Sequence, residues 1–246
     1  MNANSIKTAI VTGSSRGIGE AIAKRLAEDG FAIAVNYANN AEKADKTVAD
    51  IQNAGGKAVA IKGDAGTPSD VVALFNEAHK SLGRIDVVVH NAGVMTIAPI
   101  DEANIEIFDR MIATNLRSTF LMMAQAARYL PRDGRFIALS SSVLAKNFPG
   151  YGPYIASKAG VEGLVRVFAN ELRGRGITVN AVAPGPVATE LFFQGKTEDQ
   201  IAQIVKQAPL ERIGQPEDIA NAVSFLAGPD GSWVNGQVLR SNGGFA

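Results

Sequence analysis

The spacing of apolar positions changes period along the chain in a regular way. Short, nearly continuous apolar runs read as strands: "TAIVTG" (8–13), "FAIAVNY" (31–37), "AVAIKGD" (58–64), "RIDVVVHNAG" (84–93), "RFIALS" (135–140), "TVNAVAP" (178–184) and "GQVLRS" (236–241). Between them lie segments with helical spacing at 17–30, 41–56, 67–83, 102–130, 152–173 and 216–227. Ile18, Ile22 and Leu26 fall on one face of the first, and Gly30 stops it. Gly55-Gly56 and Gly83 close the next two, and Pro68 sits in the first turn of the third, with Thr67 or Ser69 near its cap. Strands this apolar are buried on both faces, which predicts a parallel sheet covered by helices. Unbroken βαβ alternation with right-handed crossovers predicts one doubly wound α/β domain over 1–246. The one irregular insertion is 185–215, and its part at about 188–212 is expected to form a small lid.

Composition narrows the functions open to such a fold. The chain has 246 residues, 46% hydrophobic and 20% charged, with a formal net charge of zero. That balance, with no basic run, argues against a nucleic-acid partner. No window approaches the apolar length of a membrane span. The start "MNANSIKTAIVTG" lacks the basic and apolar regions of a leader, and with no cysteines the expected compartment is the cytoplasm. Zero cysteines exclude disulfides and thiolate chemistry, and two histidines are too few for a histidine-rich metal site, so no metal is expected.

Two stretches carry chemistry. "TGSSRGIG" (12–19) follows the first strand and opens the first helix, where glycines let backbone N–H groups approach a pyrophosphate. An acidic residue at the end of the second strand would favour NAD; "VNYANN" puts Asn36 and Tyr37 there instead, and Arg16 supplies a guanidinium suited to phosphate. Together these favour NADP(H). "YIASK" places Tyr154 and Lys158 one helical turn apart, just past the fifth strand on the carboxyl edge of the sheet. An ammonium at that spacing is expected to lower the tyrosine pKa. His90 reads as a hydrogen-bonded structural group and His79 as surface.

The loop Gly13, Gly17, Gly19, with "HNAG" (90–93), Asn115, a serine after the fifth strand, "YIASK" and "PGPVAT" (184–189), resembles the short-chain dehydrogenase/reductase family over nearly the full length. The resemblance implies a Rossmann-fold sheet of seven strands. It implies an NADP(H) site built from Gly13, Ser15, Arg16, Gly17, Ile18, Gly19, Asn36, Tyr37, Asp64, Ala65, Asn91, Ala92, Gly93, Tyr154, Lys158, Pro184, Gly185, Val187 and Thr189. In it Tyr154 gives its proton to a carbonyl oxygen, Lys158 tunes the tyrosine and holds a ribose, and Asn115 breaks the long helix and holds a relay water. Of Ser140, Ser141 and Ser142, the family's spacing selects Ser141, with Ser142 the alternative. Leu144, Phe148, Tyr151, Leu191, Phe192 and Phe193 suggest an apolar pocket, or pack on the domain.

The expected activity is therefore NADPH-dependent reduction of a ketone or aldehyde. A 3-oxoacyl-[acyl-carrier-protein] reductase ranks second and would need a basic patch near the cleft, for which Arg128, Arg132 and Arg173 are candidates. A non-catalytic NADP(H)-binding regulator ranks last. The resemblance also implies a homotetramer paired through the helices after strands four and five. Asn242 stands where relatives often carry aspartate.

Overall fold

The computed structural model describes residues 6–246. The leader reading, and the first residues of the single-domain reading, fall on 1–5, outside the described residues. Seven strands form one parallel sheet: β1 (Thr8–Val11), β2 (Ala32–Tyr37), β3 (Ala58–Lys62), β4 (Ile85–His90), β5 (Arg135–Leu139), β6 (Thr178–Pro184) and β7 (Val238–Ser241), in the order β3-β2-β1-β4-β5-β6-β7. The order reverses between β1 and β4, and the crevice at such a switch point is where open α/β sheets bind ligands.

Both faces of the sheet are covered, which is why the strands alternate so little. On one face α3 (Pro68–Leu82), α5 (Ser118–Tyr129) and α6 (Gly152–Glu171) pack Leu74, Phe75, Met122, Val161, Val165 and Phe168 against Ile10, Val88 and Phe136. On the other, α1 (Gly17–Glu28), α2 (Ala41–Asn53) and α9 (Pro216–Ala227) pack Ile22, Leu26, Ile51, Ile219 and Val223 against Val11, Ile33, Val89 and Ile137. The helix α1 lies directly along α9.

The expected elements are all present, with trimmed ends. β1 stops at Val11 because Gly13 turns to φ 62°. Thr67 precedes α3 in extended backbone, but its side chain makes no capping hydrogen bond. The region expected as one helix over 102–130 is divided. A short 3₁₀ turn, Glu102–Asn104, leads into α4 (Ile105–Met111), and a π-helical segment, Ile112–Arg117, separates α4 from α5. Such π segments are rare and recur at functional sites. The insertion after β6 holds α7 (Glu190–Phe193) and α8 (Glu198–Val205), which begins at a Thr197–Gln200 capping box.

Candidate active site

A cavity of about 550 Å³ opens along the carboxyl edge of the sheet. Its floor is Leu139 at the end of β5 with Ser140 and Ser141 just beyond, Asn91 and Gly93 after β4, and Tyr154 and Lys158 from α6.

Beside this cavity, which Ile18 lines, the glycine loop forms the shallow end of the groove, and Gly13 and Gly17 take positive φ values of 62° and 57° that L-residues rarely adopt. Gly19 is needed for a different reason: a methyl there would run into the Gly13 carbonyl and the Asn91 amide. The cap of α1 is Arg16, whose side chain makes no capping hydrogen bond, so the first-turn N–H groups keep their affinity for an anion. A carboxylate already lies against Arg16: Glu190 Oε2 accepts from Arg16 Nη1 at 2.9 Å. A loop with its backbone bare at three glycines, which opens a helix and holds an anion on its arginine, fits a dinucleotide phosphate.

Three of the expected cofactor residues spend their side chains on the backbone. Asn36 is buried, and its amide donates to the carbonyls of Ile61 and Gly63, tying β2 to β3 rather than facing the groove. Asn91 Nδ2 donates to the carbonyls of Thr12 and Gly13, and lines the cavity only with what remains. Asp64 is exposed, caps the Gly66 N–H and stands beside the buried Ala65. Tyr37 is half-buried at the end of β2.

His90 is the hub of a buried chain. Ser118 donates its hydroxyl proton to the Thr114 carbonyl at 2.5 Å, so it accepts from His90 Nε2 at 2.8 Å. That assigns the proton to Nε2 and leaves Nδ1 to accept from Thr12 Oγ1 at 2.9 Å. The same Thr12 oxygen accepts from the backbone N–H groups of Asn91 and Ala92. Burial, with the Lys158 charge nearby, holds His90 down at about 3, so it is neutral. The expectation of a structural histidine agrees with this.

At the deep end the three serines separate cleanly. Ser140 donates to Glu162 at 2.7 Å. Ser142 donates to the Ala183 carbonyl and accepts from Asn242, and is fully buried. Ser141 alone turns its hydroxyl toward the Tyr154 phenol. Asn242 also donates to the Ala246 carbonyl and accepts from the Gly244 N–H, so it pins the chain end, with Phe245, against the cavity. Both its amide protons are used, which an aspartate could not match.

Tyr154 and Lys158 share a face, but the expected electrostatics are not what this geometry delivers. Tyr154 is half-buried at the cavity, and the protein packed around it strips much of the water from the phenol. That desolvation pushes the phenol up to about 12, the Ser141 hydroxyl opposing it and Tyr151 adding to it. Burial brings Lys158 down to about 8. Its ammonium donates to the Leu139 carbonyl at 2.7 Å and lies 6.0 Å from the Tyr154 ring centre, so desolvation outweighs any pull on the phenol.

Asn115 sits in the π-helical segment, as the expected break in the long helix requires. Its amide donates to Val94 O and Ser157 Oγ, and its oxygen accepts from Val94 N at 2.8 Å. A methyl on Gly93 would meet both that oxygen and the Lys158 ammonium, so Gly93 leaves open the space the two share.

The wall is apolar where expected in Phe148, Tyr151, Leu191 and Phe192, whereas Leu144 and Phe193 do not line it. Val143, Val94, Met95, Ile97 and Phe245 were missed, as was the amide row Gln200, Gln203 and Gln207. Pro184, Gly185, Val187 and Thr189 line the rim, Thr189 capping α7 through Phe192 N. Arg128, Arg132 and Arg173 lie at the end of α5, just before β5 and just past α6. They stand at the amino edge of the sheet, opposite the cleft, so they form no basic patch beside it.

A family model described as enoyl-(acyl carrier protein) reductase matches residues 13–246. The chain is 44% identical to a short-chain type dehydrogenase/reductase of Picea abies, over 97% of this chain and 92% of the relative. It is 40% identical to a chloroplastic NADPH-dependent aldehyde reductase-like protein of Arabidopsis thaliana, over 97% of this chain and 94% of the relative. The structure superposes with a TM-score of 0.92 on a short-chain dehydrogenase from Burkholderia cenocepacia J2315 in complex with NADP, at 34% identity, covering 98% of this chain and 99% of that one.

Proposed function

Since the chain belongs to the short-chain dehydrogenase/reductase family, we propose that it is an NADPH-dependent reductase of a ketone or aldehyde, with Tyr154 as the proton donor. The observation that carries this reading is the convergence of Ser141, Tyr154 and Lys158 on the floor of one largely apolar cavity at the switch point of the sheet. Bound NADPH supplies the hydride; the chain's residues orient the carbonyl and deliver the proton. Ser141 and Tyr154 hydrogen-bond the carbonyl oxygen. The Tyr154 proton passes to that oxygen as negative charge develops on it, leaving an alcohol and a phenolate that regains a proton from solvent. A phenol held at about 12 is fully protonated at neutral pH, as an acid catalyst for reduction must be. Lys158, in contact with the Leu139 carbonyl, and the Asn115 oxygen across Gly93 supply the charged and polar groups through which the phenolate is reprotonated.

The glycine loop, Arg16 and the lack of a carboxylate after β2 support NADP(H), as do an NADPH-dependent relative and an NADP-bound neighbour. A homotetramer remains part of the proposal, supported by exposed Phe108, Phe120 and Val167 on α4, α5 and α6. The test is NADPH consumption across aldehydes, cyclic ketones and a 3-oxoacyl thioester. Turnover of free aldehydes or ketones supports the reading. Turnover confined to the acyl thioester would replace it with the carrier-protein activity, and NADPH binding without turnover of any would favour a regulator.

A further inference from the structure

Arg16 and Lys43 come from different elements, the glycine loop and the first turn of α2, yet both end on one carboxylate. Arg16 Nη1 donates to Glu190 Oε2 and Lys43 Nζ to Glu190 Oε1, each at 2.9 Å. Each carboxylate oxygen thus takes one cation. Lys43 is held in place by its own backbone N–H, which the Asn40 side chain caps at 2.9 Å. Glu190 is the first residue of α7, directly after Thr189, and lies 147 residues from Lys43 in sequence.

Two cations from separate elements on a single carboxylate make a seat with charge to spare. A phosphate monoester brings about −1.5 to −2 charge and three terminal oxygens to the same place. Arg16 and Glu190 are 67% and 66% exposed at their side chains, so their pairing is weakly held and open to exchange. The position is also right. Arg16 caps the helix where the pyrophosphate is expected, and Lys43 follows β2, the strand whose end faces the adenosine ribose.

We propose that Glu190 is a built-in competing anion at this seat, one that the 2′-phosphate of NADP(H) must displace to reach Arg16 and Lys43. The inference rests on the NADP(H) reading above and adds to it a carboxylate that opposes the phosphate. Glu190 sets the apparent affinity: an anion tethered at the seat must be exchanged before the phosphate is bound, and an enzyme lacking it binds the phosphate more tightly. NADH, with a ribose hydroxyl at that point, has no charge with which to displace Glu190.

Calorimetric titration of the full chain with NADPH, NADH and 2′,5′-ADP tests this without turnover, on the wild type, Lys43→Ala, Lys43→Arg and Glu190→Gln, each checked by thermal melting. Lys43→Ala is expected to weaken NADPH and 2′,5′-ADP about tenfold while NADH stays within about twofold, and Lys43→Arg to restore most of the loss. Glu190→Gln is expected to tighten NADPH and 2′,5′-ADP about threefold and leave NADH unchanged. Equal effects of Lys43→Ala on NADPH and NADH, or a Glu190→Gln protein that binds NADPH no more tightly, would overturn the inference and leave only a surface ion pair. A wild type that prefers NADPH, together with a Lys43→Ala protein that keeps the preference, overturns this inference alone. A wild type with no preference overturns the NADP(H) reading and this inference with it.

Discussion

The groove has two charged ends that are built in opposite ways. At the deep end, Lys158 is buried and donates to a backbone carbonyl. At the shallow end, Arg16 and Lys43 stand in water and hold a carboxylate that can leave. Burial shifts proton affinities, since it penalises whichever form is charged: Tyr154 goes up to about 12, Lys158 down to about 8 and His90 down to about 3. Exposure leaves charges free to select a ligand, at an energy that solvent and salt attenuate. Proton chemistry belongs to the first environment and recognition of a phosphate to the second.

The largest expected effect breaks the deep end. Tyr154→Phe removes the proton while keeping the ring, and turnover should fall about 10²–10⁴-fold with NADPH affinity retained. Single-turnover absorbance at saturating NADPH measures it. A Phe protein that still turns over within a few-fold of wild type would show that the proton comes from elsewhere.

A smaller effect concerns stability, and it sharpens the same contrast. His90 is held neutral, with a folded pKa of about 3 against an ordinary 6.5. Between those values the unfolded chain binds a proton that the folded chain does not, so this contribution is present above pH 6.5 and is lost as pH falls. At pH 5 the loss amounts to about 2 kcal/mol. Protonation would also strip Thr12 of its acceptor and leave His90 with two donors in a chain that accommodates one. His90→Asn should therefore lose less stability than the wild type on going from pH 7 to pH 5, as read by chemical denaturation at both. Equal acid slopes would show that His90 is not neutral for the reason given.

The ease with which these features could be read from the sequence follows the same division. The sheet was legible because seven apolar runs and their intervening helices are local patterns, and both buried faces follow from them. Ser141 was legible only through the resemblance, whose serine-to-tyrosine spacing left Ser142 as the alternative; the fold separates the two by burying Ser142 against Ala183 and turning Ser141 toward Tyr154. Asn36 was not: β2 is buried on both faces, so its period does not say which side a residue faces, and the side chain turned to the carbonyls of β3. The rise in the Tyr154 pKa was hidden because spacing reports who is near but not how much water is left. Lys43 and Glu190 were beyond reach altogether, since their contact crosses 147 residues and depends on how the lid leaves β6. Phe245 reaches the cavity only because Asn242 folds the last residues back.

The smallest expected effect separates the two ends by salt. Raising ionic strength from about 0.1 M to 1 M shortens the screening length from about 10 Å to about 3 Å. The cations at Arg16 and Lys43 are exposed and feel it; Lys158, at 5% exposure, is sheltered. The NADPH dissociation constant should then rise a few-fold more than that of NADH, whose ribose brings no phosphate to the seat. The rate constant for the chemical step at saturating cofactor should stay level, because burial keeps the screening ions away from its charges. Part of the salt effect on NADPH is offset in the wild type, since salt also loosens Glu190 from the same two cations. Glu190→Gln removes that offset, so its NADPH affinity should fall more steeply with salt than the wild type's. Parallel salt slopes for NADPH and NADH in the wild type would mean that the exposed cations do not read the phosphate, and the contrast between the two ends would lose its shallow half.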